Sequence, residues 1–161
     1  MRLNIFTANN LMVLALLSIT TLASAEHCRK VDIDKSSGYC TVPDPALTPG
    51  EMDASLACST HGRLHQVSDS DKDFILAAYG FPSDKKTKSS GEFDHWYPEW
   101  MGGSDGPKNI WFEPHTGKFG SYAKDKVEDM LYQKVCVDHT MSIGRARKLL
   151  DSGWTKLVPQ P

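Results

Sequence analysis

The residues best suited to chemistry are Asp94 and His95, which stand side by side, and Asn109 a short way on. Between them lie Gly102-Gly103 and the turn-forming run Ser104-Asp105-Gly106-Pro107, and Asn109 opens the apolar stretch Ile110-Trp111-Phe112. Carboxylate and amide oxygens are hard donors that suit Mg2+-like ions. An imidazole beside such an ion can take a proton from water, because free imidazole titrates near about 6.5. The spacing predicts a hairpin that gathers Asp94, His95 and Asn109 around one divalent cation. Asp94 and Asn109 are the expected ligands and His95 the expected general base.

A hairpin is needed to hold such a group. Glu92 to Tyr97 reads as the outgoing strand, with Phe93 among polar neighbours and aromatics after it. Gly102-Gly103 permits the positive φ of a turn, and Ile110-Trp111-Phe112 reads as the return. Adjacent strand residues face opposite sides, so Asp94 and His95 can share one site only if the strand ends or bends there.

The flanking elements read as helices. Thr48-Pro49-Gly50-Glu51 has the form of a helix start, predicting a short helix to about Ala57. His61 and His65 have the i, i+4 spacing of a metal pair but lack a third ligand nearby, so we read them as polar loop residues. Asp69 to Tyr79 predicts a second helix with Phe74, Ile75 and Ala78 inward and Leu76 as a further candidate for that side, its acids near the positive N-terminus and Gly80 as the stop. Ser83 to Ser90 is a polar loop carrying Lys85, Lys86 and Lys88. Ser121 is placed to cap a third helix from about Tyr122 to Val137, with Ala123, Val127, Met130, Leu131 and Val135 on one face. A last helix capped by Ser142 has Ile143, Ala146, Leu149 and Leu150 on one side, and Trp154 is expected to close the core.

The stretch Asp94-His95-Trp96-Tyr97-Pro98-Glu99-Trp100-Met101-Gly102-Gly103, followed by Asn109, resembles the core of HNH (His-Me finger, ββα-metal) endonucleases. The resemblance continues into a group of small secreted or periplasmic bacterial HNH-type proteins. It rests on Leu47-Thr48-Pro49-Gly50, Tyr79-Gly80, Asn109 to Pro114, Lys124-Asp125 with Glu128 and Leu131, Val135-Cys136 and Trp154. It implies an α+β fold, a β-hairpin plus helix (a ββα-metal core) with flanking helices and disulfide staples. It also implies a metal-dependent endonuclease that hydrolyses nucleic acid, DNA more than RNA, with Mg2+ (or Mn2+ or Zn2+) as cofactor. Lys124, Asp125 and Glu128 match the family's pattern and join the candidate site. The second His often found about nine residues after the Asn is replaced by Lys118; His115 is a candidate substitute, as is an acid on the third helix.

The 161 residues suit one domain. Arg2, the apolar run from Leu11 to Leu17 and Ala23-Ser24-Ala25 resemble a secretory signal peptide over residues 1–25. The apolar run is shorter than a spanning helix needs. Residues 26–46 are expected to be a disulfide-tied segment and 47–161 the nuclease-like domain, exported and free of the membrane once the signal is cut. Cleavage removes Arg2 and no acid, moving the net charge from −2 to −3. That argues against a binder held to nucleic acid by charge alone. Together with the missing second His, it favours an alternative: an exported interaction protein on an inactive scaffold of the same type. The four cysteines allow three pairings. We expect Cys28–Cys40 as a local loop and Cys58–Cys136 as a long-range staple.

Overall fold

A computed structural model describes residues 39–59 and 67–158. The expected signal peptide, Cys28, His61 and His65 lie outside the described residues. The fold is α+β. In chain order it comprises helix α1 (Asp69–Ala78), the single turn α2 (Lys85–Lys88), strand β1 (Gly91–His95), strand β2 (Ile110–Pro114), helix α3 (Ser121–Tyr132) and helix α4 (Ile143–Asp151). The two strands pair antiparallel with Asp94 opposite Trp111 and His95 opposite Ile110.

Two apolar clusters grip this hairpin from different sides. Ile75, Leu76 and Tyr79 of the α1 region pack with Ile110, Trp111 and Phe112 of β2. Trp96, Tyr97, Trp100 and Met101 of the connection pack with Val127 and Leu131 of α3, Ala146 and Leu150 of α4, and Trp154. Trp154 is fully buried and donates its indole N–H to the Thr41 carbonyl at 2.5 Å, closing the core as its position suggested. Ser142 caps α4 by accepting the Arg145 amide.

Cys58 and Cys136 are joined, with Cα atoms 5.5 Å apart. Cys40 is also disulfide-bonded, while Cys28 is outside the described residues. The bridge suits an oxidising compartment. Among the described residues no helix is long and apolar enough to cross a membrane.

Several local expectations are corrected. The segment after Thr48 is not a helix: Gly50 takes φ 79°, and the Gly50 and Glu51 amides donate across the molecule to the Lys108 carbonyl. Thr48 instead shares a 2.8 Å hydrogen bond with the Tyr79 hydroxyl, and the nearest helical turn is Ala54–Leu56, capped by Asp53. Phe74 is 62% exposed, because α1 turns Ile75, Leu76 and the following Tyr79 inward. The lysine loop contains the helical turn α2, capped by Asp84. Helix α3 ends at Tyr132 and widens into a π-turn over Gln133–Val137; Gly120 precedes it, and Ser121 is inside its first turn.

Candidate functional site

The connection between the strands is built around Asn109. Its Oδ1 accepts the Tyr97 amide at 3.0 Å, and its Nδ2 donates to the Tyr97 carbonyl at 2.9 Å and the Ser104 carbonyl at 3.1 Å. Gly103 lies against this clamp; a Cβ there would meet the Tyr97 carbonyl oxygen at 1.8 Å and Asn109 Nδ2 at 2.6 Å. Gly102 adopts φ 90°, so the Gly-Gly pair answers both a backbone and a packing demand. Asn109 is fully buried. Asn109, expected as a cation ligand, thus has its amide oxygen engaged by the hairpin backbone.

Strand alternation then separates Asp94 from His95. Glu92 and Asp94 share a face of β1, and cross-strand register adds Glu113 to that face. It meets α3. Lys124 Nζ donates to Asp94 Oδ2 at 2.5 Å, to the His95 carbonyl at 2.9 Å and to Glu128 Oε1, with Glu113 Oε2 at 3.8 Å. The Lys124 side chain is 0% exposed. Spacing of i, i+4 on α3 puts Lys124 and Glu128 on one helical face.

The buried charges set one another's protonation. Burial disfavours the charged Lys124, but Asp94, Glu128 and Glu113 outweigh it and hold the ammonium well above its ordinary range. Burial also opposes the Asp94 carboxylate; the Lys124 charge and hydrogen bond, aided by Glu113, leave it below the ordinary value. Glu113 is 1% exposed, and burial pushes it well above its ordinary value. Neither of its oxygens receives a protein donor, and as a neutral acid it can itself donate to Asp94. Burial raises Glu128 to about 8 despite Lys124. Burial, with the charges of Glu92 and Asp94, raises Asp125 to about 6.

His95 turns the other way. It is 8% exposed, and its Nε2 lies 3.2 Å from Asp105 Oδ1 in the interstrand loop. An imidazole oriented by a carboxylate is a suitable general base. Among the described residues, ligand atoms suited to a cation converge in two separate groups, His95 with Glu99 and Asp105, and Asp94 with Asp125 and Glu128. The expected single site around Asp94 and His95 is therefore divided, because β1 stays extended through His95. His115 joins neither group; its Nδ1 is 2.8 Å from Ser121 Oγ and its ring stacks on Tyr122 with centroids 4.7 Å apart.

A divalent ion fits the second group poorly by its donor set. Asp94 Oδ2 and Glu128 Oε1 are already engaged by Lys124. Asp105 and Glu113 went unnoticed as site residues in the sequence. Glu113 had a visible signal, a lone carboxylate in an otherwise apolar buried strand; Asp105 resembled ordinary turn chemistry. A groove of about 880 Å3 opens nearby between Val67, Asp69, Lys72, Lys88, Glu92 and Phe93, without His95 in its lining.

Comparison with protein-family models, curated proteins and solved structures returns no match to the chain.

Proposed function

We propose that this protein is an exported phosphodiester hydrolase acting on nucleic acid, related in design to the HNH endonucleases it resembles. The observation that carries the reading is the His95–Asp105 pair at the mouth of an Asn-clamped hairpin whose other face is braced by α3. His95 removes the proton from the attacking water. Asp105 orients the imidazole and stabilises its protonated form after transfer. Lys85 and Lys86 are exposed on α2, which packs beside β1, and offer positive charge to a phosphate backbone.

The alternative is a non-catalytic interaction protein on the same scaffold. The near-complete burial of His95 favours it. Plasmid nicking and single-strand cleavage by the purified mature chain separate the two. For the hydrolase, His95→Ala reduces cleavage by about 10²–10⁴-fold while the fold persists. Near wild-type cleavage by that variant removes His95 as the base, and no cleavage by well-folded wild type favours the interaction protein.

A further inference from the structure

We propose that the Lys124 ammonium is the resident cation of the carboxylate group at the β1–α3 contact, standing where a divalent ion would have to sit. The inference rests on the geometry of that group and is independent of the hydrolase reading.

An ammonium has three N–H donors and no acceptor. Lys124 spends all three, on Asp94 Oδ2, the His95 carbonyl and Glu128 Oε1. Glu113 Oε2, 3.8 Å away, adds a fourth oxygen around the same nitrogen. This is the oxygen-rich shell that a hard divalent ion demands, at the longer spacing of N–H···O contacts. Mg2+ would need its oxygens at about 2.0–2.1 Å and Ca2+ at about 2.3–2.6 Å. Either ion at Asp94 and Glu128 would meet the ammonium head-on, with like charge and no room. Withdrawing Lys124 would strand the His95 carbonyl without the donor it now has. The side chain has no solvent exposure into which its charge could retreat.

Charge count agrees with the geometry. One ammonium is matched by the Asp94 carboxylate, with Glu113 held as a neutral acid and Glu128 raised to about 8. A divalent ion would require further carboxylates to ionise in a buried setting, which is costly. Lys124 is therefore a positioning residue. It ties α3 to the C-terminal end of β1 and fixes the backbone of His95 without touching solvent.

The test is Mn2+ and Mg2+ titration of the mature chain, followed by calorimetry and by thermal shift. Wild type and Asp94→Asn should titrate alike, with any weak binding unchanged by the substitution. Lys124→Ala should gain Mn2+ affinity by at least about tenfold, because Asp94 and Glu128 are released to join Asp125 as ligands. Wild-type binding that Asp94→Asn or Glu128→Gln abolishes would overturn the proposal. A folded Lys124→Ala chain with no gain over wild type would overturn it as well. If Lys124→Ala does not fold, the comparison of wild type with Asp94→Asn and Glu128→Gln decides.

Discussion

Asn109 and Tyr97, twelve residues apart, are locked by a reciprocal pair of hydrogen bonds: the Tyr97 amide to Asn109 Oδ1 at 3.0 Å, and Asn109 Nδ2 to the Tyr97 carbonyl at 2.9 Å. The side chain thus imitates a strand partner exactly where the backbone ladder stops. Replacing it by alanine strands a buried amide and leaves two carbonyls short of a donor. Unmade buried hydrogen bonds cost about 1–3 kcal/mol each, and not additively. Asn109→Ala should lose roughly 3–5 kcal/mol of stability in urea denaturation. A loss below about 1 kcal/mol would return Asn109 to the role of a dispensable or ligand-binding residue.

The Glu128 carboxyl supplies a pH signature. Its folded value is about 8 against an ordinary 4.5, so the folded chain holds a proton that the unfolded chain releases between those limits. Its contribution is fully present below about pH 4.5 and is lost as pH rises through about 8. Asp125, raised to about 6, acts with the same sign at lower pH. Asp94 is lowered, so its contribution is lost only on strong acidification. Stability should therefore fall by a few kcal/mol between about pH 5 and 9. Glu128→Gln should flatten part of this slope, with Glu113 supplying some of the remainder. Denaturation curves across that range check it, and identical slopes in the two proteins would exclude Glu128 as the source.

The Cys58–Cys136 bridge spans 78 residues and joins the segment ahead of α1 to the turn after α3. In the chain-entropy model, closing a loop of this size stabilises by about 4 kcal/mol. Cys58 adopts φ 62° and donates its amide to the Trp100 carbonyl at 2.7 Å, so the bridge also anchors the connection that precedes the Asn109 clamp. The double variant Cys58→Ser with Cys136→Ser should lose roughly that amount by chemical denaturation. A peptide map of the oxidised chain with Cys58 free would contradict the bridge directly.

The sequence by itself determined the hairpin, the helices α1, α3 and α4, the Ser142 cap and Trp154 as a core residue. These follow from local signals: turn glycines, helical periodicity, a capping side chain and one aromatic near the end of the chain. It left three cysteine pairings open, and the structure decided for Cys58–Cys136. The sequence also singled out Asp94, His95 and Asn109, to which the family resemblance added His115, Lys124, Asp125 and Glu128. Only the tertiary structure decided what each does. Alternation along an extended β1 sends Asp94 to α3 and His95 to Asp105, a division that spacing of adjacent residues could not resolve. Burial decided that Asn109 serves the backbone and that Glu113 is held neutral, since desolvation depends on what packs around a group. The i, i+4 spacing placed Lys124 beside Glu128, but only the packing of α3 on β1 brought its ammonium thirty residues back to Asp94.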